Sequence, residues 1–119
     1  MAYQKHMLAG TGIGLRQPHV EHFIHGTPPI GWLEVHSENY LQENSKRRHQ
    51  LRHIRNDYAV SCHGIGLSLG SSDPLNLNHL KSLKSLFDDI QPSLISEHLS
   101  WSSLNGRFYN DLLPLPYTD

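Results

Sequence analysis

Cysteine, charge and long apolar runs are all scarce in this sequence. Cys62 is the single cysteine among 119 residues, so an intrachain disulfide is excluded. Charged residues make up only 18% and the formal net charge is −1, a balance that argues against a general affinity for nucleic acid or anionic membranes. No apolar run is long enough to cross a membrane, and residues 1–6 lack the apolar core of a signal peptide. These absences predict a cytoplasmic protein.

Histidine, by contrast, is abundant, with ten copies in the chain. Imidazole is the commonest metal ligand and the acid or base that titrates near neutral pH, so this excess favours a metal site without proving one. Apolar residues make up 37%, which is enough for the modest core of one small globular domain. The positions of the histidines in the fold must therefore decide their role.

Strand patterns alternate with helix patterns along the chain. Strands are predicted over residues 10–16, 32–36, 58–63 and 94–98, helices over 20–25, 44–55 and 73–90, and a loop over 101–119. The third helix rests on apolar residues at three- and four-residue spacing, namely Leu77, Leu80, Leu83, Phe87 and Ile90. Such alternation is typical of an α/β fold with a parallel sheet and right-handed crossovers.

The third strand ends in a polar residue and a glycine-rich turn. Because side chains alternate between the two faces of a strand, His63 points away from Val60 and Cys62, which suit a covering layer of helices. Gly64 and Gly66 follow, and we expect them to turn the backbone without a Cβ penalty. Ligands of parallel sheets bind at the carboxyl ends of the strands, so His63 is the first candidate for chemistry.

The other strands end in a similar way. His36 and His98 lie at the ends of the second and fourth strands, and Arg16 ends the first. Side by side, these ends converge on one rim, like the ligands at the carboxyl-terminal face of a (β/α)8 barrel. Such a barrel typically needs about 250 residues, so residues 1–119 are predicted to be a single partial domain, the amino-terminal half of a TIM-like barrel.

The pattern alone leaves the roles of these side chains open. His63 and His98 are either metal ligands or buried histidines that donate to a neighbouring carbonyl group. Glu34, Glu38 and Asn39 lie at or just past the end of the second strand, where they could orient ligands through hydrogen bonds or contact substrate. The alternative is an N-cap or turn role for Asn39 and a solvated Glu38.

The remaining candidates are two residues at strand ends and a basic helical run. His36 is placed among the supporting residues, and Arg16 could hold a carboxylate of a ligand or of a peptide substrate. The basic run 46–48, with Arg52 and Arg55, is predicted to be a solvated helix face rather than a contact for nucleic acid, because no aromatic side chains are interleaved for base stacking.

Five ordered blocks of sequence resemble one known family. They lie at residues 12–19, 32–40, 61–70, 95–101 and 110–118 and read GIGLRQPH, WLEVHSENY, SCHGIGLSLG, ISEHLSW and NDLLPLPYT. The resemblance is to domain-of-unknown-function family 692, whose characterised members are multinuclear non-haem iron-dependent oxidative enzymes. It covers nearly the whole chain.

The resemblance implies a barrel that holds two or three iron ions at its carboxyl-terminal face and uses molecular oxygen. Characterised relatives modify residues, often cysteine, of ribosomally made peptides, usually beside a small partner protein that presents the substrate. The family's iron ligands map onto His63 and His98, and its other ligands come from strands later than Asp119. We therefore expect this chain alone to be inactive, and either to pair with another copy through its open sheet edges or to be poorly soluble.

Two other functions stay open. One is a zinc or manganese barrel enzyme of the sugar-isomerase or endonuclease type, which shares the strand-end histidines; metal analysis separates it from an iron enzyme. The other is a non-catalytic interaction module.

Overall fold

A parallel four-stranded sheet forms the centre of the molecule. The structure, a computed structural model, describes Tyr3 and residues 6–118. The strands stand in sequence order and every neighbouring pair is parallel: β1 (Gly12–Gly14), β2 (Trp32–His36), β3 (Ala59–Gly64) and β4 (Leu94–Glu97). The connections contain α1 (Val20–His25), α2 (Lys46–Arg55) and α3 (Leu77–Ile90). This is the architecture of the first half of a TIM-like α/β barrel, and the predicted fold class is confirmed.

An antiparallel hairpin follows the sheet, where the sequence analysis predicted a loop. Its strands are β5 (Trp101–Leu104) and β6 (Arg107–Leu113). The two residues between them, Asn105 and Gly106, have φ angles of 52° and 73°. Positive φ at both central residues is what a tight hairpin turn requires, and Asn-Gly is its strongest sequence signal. The loop prediction was therefore wrong at a position where the chain carried the relevant signal.

One face of the sheet packs against the helices. Val60 and Cys62 of β3 are completely buried, as the alternation of side chains predicts. They share one apolar cluster with residues of the neighbouring strand and helices, among them Leu33, Val35, Leu51, Ile54, Leu86 and Ile90. Burial raises the pKa of the Cys62 thiol to about 12. Cys62 is therefore a packing residue rather than a nucleophile.

The starts of the two longer helices are set by capping side chains. Ser45 Oγ accepts a hydrogen bond from the backbone N–H of Arg48 at 3.1 Å, and Asn76 Oδ1 accepts one from that of His79 at 3.1 Å. Asn76 thus fixes the start of α3 at Leu77, four residues later than predicted. The predicted apolar stripe also needs correction, because Leu77 is 68% exposed while Leu86, which was overlooked, is completely buried.

Two arginines of α2 are buried, which corrects the predicted solvated face. Arg48 is 1% exposed and donates to the Asp89 carboxylate of α3 at 2.8 Å. Arg55 is 3% exposed and donates to backbone carbonyl oxygens at the end of α3. Only Lys46 and Arg47 of the basic run are exposed as expected. Arg48 and Arg55 therefore fasten α2 to α3.

Within the described part of the chain, no helix is both long enough and apolar enough to span a bilayer.

Candidate functional site

The ends of β3 and β4 bring His63 and His98 together. Nε2 of His63 lies 2.9 Å from Nδ1 of His98, and the ring centroids are 5.1 Å apart. The other ring nitrogen of His63, Nδ1, lies 2.8 Å from Ser96 Oγ. His98 follows β4, and its backbone N–H donates to Gly64 O at 2.9 Å, which extends the strand pairing by one residue. The two imidazoles therefore meet at the carboxyl rim of the sheet.

The close nitrogen pair suits a shared metal ion. Zinc binds imidazole nitrogen at about 2.1 Å, so two nitrogens on one such ion lie within about 4.2 Å of each other. The separation of 2.9 Å between His63 and His98 meets this condition, and it is also the length of a direct hydrogen bond between the two rings. However, the described residues contain no group of three or more His, Cys, Asp or Glu side chains arranged to hold a metal. The pair fits two positions of a metal site, and two imidazoles do not select the metal.

His36 extends this pair to a row of three imidazoles. It is the register partner of His63, and the two ring centroids are 6.2 Å apart. One step deeper on the same face, Glu34 stands opposite Ser61. Ser61 is 1% exposed, and its hydroxyl has no hydrogen-bond partner among the described residues. The inner face of the sheet is thus polar from Glu34 and Ser61 up to the histidine row.

Arg16 and Asn39 lie at solvent-exposed positions. The first strand ends at Gly14, so Arg16 lies in the extended segment before the short 3-10 helix Gln17–His19 rather than at a strand end. Asn39 lies directly after β2, in the 3-10 helix Ser37–Tyr40.

Glu38 binds the turn that follows His63. Its Oε1 accepts hydrogen bonds from the backbone N–H groups of Ile65 and Gly66 at 3.0 and 2.8 Å. The side chain is only 19% exposed, so the solvated alternative was wrong. Gly66 does not have a positive φ, and the reason for glycine is close approach, since a Cβ there would lie 3.2 Å from Glu38 Oε1.

Glu97, which the sequence analysis overlooked, supports the same turn from β4. Its Oε1 accepts a hydrogen bond from the backbone N–H of Leu67 at 3.3 Å. A Cβ on Gly64, its register partner, would overlap the carboxylate, so this glycine too is explained by close approach. Burial raises the pKa of Glu97, and the nearby charge of Glu38 acts in the same direction. Strand alternation indicated His98 as the candidate ligand, so the neighbouring Glu97 was not predicted.

His79 of α3 approaches the same carboxylate from the helix side. Its Nε2 lies 3.4 Å from Glu38 Oε1, and its side chain is 18% exposed. The contact is electrostatic rather than a hydrogen bond, because its geometry does not meet hydrogen-bond criteria. It becomes an ion pair when the ring is protonated. No strand-end rule points to a residue in the first turn of a helix, so His79 was not predicted.

The hairpin is fastened to the glycine-rich turn by side-chain hydrogen bonds. Ser68, with a φ of 55°, accepts from the backbone N–H groups of Ser102 and Ser103 at 2.9 and 3.3 Å. The Asp73 carboxylate accepts from the N–H groups of Asn105 and Gly106 at 3.0 and 3.2 Å. The turn after β3 and the hairpin therefore form one hydrogen-bonded unit beside the histidine row.

These features define an α/β half-barrel with a histidine pair at the carboxyl rim of its sheet. The sequence matches the family model described as "RiPP precursor modification enzyme MbnB/TglH/ChrH" over residues 10–119, and the chain belongs to that family. RiPPs are ribosomally synthesised and post-translationally modified peptides, so the family consists of enzymes that act on peptide precursors. The predicted family, formerly domain-of-unknown-function family 692, is confirmed.

Relatives from several bacteria are similar along nearly the whole chain. A UPF0276 protein of Vibrio vulnificus is 58% identical over 108 residues, which are 91% of this chain and 37% of the relative. One from Vibrio parahaemolyticus is 51% identical over 117 residues, 98% of this chain and 40% of the relative. One from Psychromonas ingrahamii is 52% identical over 115 residues, which are 96% of this chain and 40% of the relative. The chain spans about two fifths of the length of these relatives.

Proposed function

We propose that these residues form the amino-terminal part of an iron-dependent, oxygen-using oxidase that modifies residues, often cysteine, of ribosomally made peptides. The observation that carries this proposal is the His63–His98 pair, with facing ring nitrogens 2.9 Å apart at the carboxyl rim. Family membership supports the peptide substrate. A small partner protein that presents the peptide, and a cytoplasmic location, belong to the same proposal.

His63 and His98 would hold one of the two or three iron ions, with His63 bound through Nε2. Bound iron supplies the oxygen activation and the electron transfer that amino-acid side chains lack. Ser96 Oγ, 2.8 Å from Nδ1 of His63, fixes the orientation of that ring. Glu38 and Glu97 hold the turn that follows β3, so they position His63 from its carboxyl side.

The remaining predicted residues act around this pair. Glu34 and His36 face the same interior as His63 and would orient ligands through hydrogen bonds. Arg16 and Asn39 are exposed near the rim of the sheet and would contact the peptide, with Arg16 suited to a peptide carboxylate.

The test uses a full-length member of the family that carries this sequence, hereafter the full-length protein. We expect it to retain iron after dialysis, to consume oxygen when given a cysteine-containing precursor peptide, and to change the mass of that peptide. Inductively coupled plasma mass spectrometry, an oxygen electrode and peptide mass spectrometry measure these results. Stoichiometric zinc or manganese without oxygen uptake would instead support the isomerase or endonuclease alternative. A metal-free protein that only binds peptide would support the interaction module.

We further propose that residues 1–119 are half of one barrel domain and self-associate when produced alone. Leu94 and Ile95 of β4 are 49% and 52% exposed, and no strand among the described residues pairs with the outer edge of β4. An apolar strand with an open edge is a template for association. Sedimentation velocity of the isolated residues should therefore show dimers or larger species. A stable monomer at all concentrations would contradict this expectation.

A further inference from the structure

A cleft of about 390 Å³ lies between the hairpin and the turn that follows β3. Its lining includes Ile65, which follows His63 by two residues in the sequence. The turn contributes one wall and the hairpin the other, with Glu38, Ile65 and Gly66 facing Phe108, Asp111 and Leu112. Because Ser68 and Asp73 fasten the hairpin to the turn, the two walls are held at a fixed separation.

β6 is irregular along the stretch that lines this cleft. Trp101 pairs with Leu113 and Ser103 with Phe108, so a single β5 residue, Ser102, stands opposite residues 109–112 of β6. Within this bulge Asn110 has a φ of 52°, a conformation that is uncommon for residues other than glycine. Bulges redirect side chains and are frequent beside active sites. This bulge supplies the cleft wall that contains Asp111 and Leu112.

The chemistry of the cleft is apolar on one side and acidic on the other. Phe108 and Leu112 supply the apolar surface and are 63% and 37% exposed among the described residues. Among the described residues, Glu38 and Asp111 are the only charged ones that line the cleft, and both are acidic. Glu38 uses Oε1 to hold the turn, while its buried Oε2 has no hydrogen-bond partner among the described residues. An acceptor without a partner therefore lies beside an apolar wall.

We propose that this cleft binds the segment of the peptide substrate that flanks the modified residue. An apolar side chain of that segment packs on Phe108 and Leu112, and a neighbouring Lys or Arg is directed to Asp111 and Glu38. The inference rests on the proposed function for the identity of the ligand as substrate. It adds a preferred peptide sequence, in which an apolar residue is next to a basic one, and it identifies the cleft as the surface that recognises this sequence.

The test pans a phage-display library of random short peptides on the full-length protein after removal of metal with a chelator. We expect the selected peptides to share an apolar residue adjacent to Lys or Arg. Phe108→Ala should weaken their binding about tenfold, as measured by fluorescence anisotropy, because it removes an exposed aromatic anchor. Asp111→Asn should remove the preference for the basic residue and reduce the salt dependence of binding.

Tyr109→Ala is the matched control. Tyr109 is the next residue of β6, but it does not line the cleft and instead packs on Trp101, with ring centroids 5.7 Å apart. Its replacement should leave peptide affinity within about twofold, whereas equal losses in both variants would overturn the cleft as the binding surface. The cleft would also be rejected as the binding surface if the selected peptides bound the Phe108→Ala variant as tightly as the unchanged protein. Because binding is measured without metal, failure of the oxidase assay with intact Phe108-dependent binding would reject the proposed oxidation and leave the cleft assignment standing.

Discussion

Replacing His63 by alanine in the full-length protein should remove the proposed iron ion at the sheet rim and reduce the proposed peptide oxidation to background. His63 is the centre of the site, with Ser96 on one ring nitrogen and His98 on the other. Changes to residues that only support a metal ligand typically cost about 10- to 100-fold in metal affinity or activity, and the loss of a ligand should cost more. Iron per chain and the rate of oxygen uptake are the two measurements.

The controls separate the loss of a ligand from damage to the fold. His98→Ala should resemble His63→Ala, because the two imidazoles face one position. His53→Ala removes an exposed imidazole from the outer helix α2 and should leave both iron and turnover unchanged. Glu38→Gln should have an intermediate effect, since it weakens the support of the turn but keeps both histidines. Full iron content and full oxygen uptake in His63→Ala would reject the assignment of this residue.

The sheet and the histidine row were predictable because both follow from short-range rules. Strand alternation separates His63 from Val60 and Cys62, and parallel pairing then brings the strand ends to one rim. The register partner of His63 in β2 is His36, as expected from strands that end together. The two-residue alternation of strands was therefore enough to predict most of the sheet and the two candidate ligands, His63 and His98.

The supports of the turn could not be derived from the same rules. Gly64 and Gly66 were predicted to turn the backbone, but neither has a positive φ. Each is instead a glycine because a carboxylate approaches its Cα closely. That role depends on Glu97 and Glu38, which come from other strands or their ends and meet the turn only in three dimensions. A sequence shows that a glycine is present, but the neighbour that excludes a Cβ becomes visible only after folding.

The basic helix was misjudged for a related reason. Composition favours solvent exposure for Arg48 and Arg55, because charged residues are rarely buried unless they are paired. Their partners include Asp89 and the carbonyl oxygen of Ile90, which are far away in the sequence. The local pattern around α2 contains no sign of these two partners, so the burial of these arginines could not be predicted from it.

Replacing Arg48 by alanine should lower the free energy of unfolding by about 3–5 kcal/mol, because each buried carbonyl group left without a donor costs about 1–3 kcal/mol and the missing side chain leaves a cavity. The Arg48 guanidinium donates to the carbonyl oxygens of Tyr40 and Leu41 at 2.7 and 3.1 Å, and to Asp89 at 2.8 Å. It therefore joins α2 both to the segment after β2 and to α3. Its removal leaves two carbonyl groups without their donor, as well as a cavity between the elements. Urea denaturation followed by tryptophan fluorescence measures the change.

Arg52→Ala is the matched control, since Arg52 binds the same Asp89 carboxylate at 2.7 Å but is 32% exposed. An ion pair at that exposure contributes about 0–1 kcal/mol, so the two variants should differ by several kcal/mol although each removes one arginine from one carboxylate. Equal losses would mean that the charge of Asp89, rather than the buried position of Arg48, determines the effect. A large loss confined to Arg48→Ala would locate the stabilisation in the buried carbonyl contacts. The same contacts fix the segment after β2 that contains Glu38, so the Arg48→Ala protein should also bind iron less tightly than the Arg52→Ala protein.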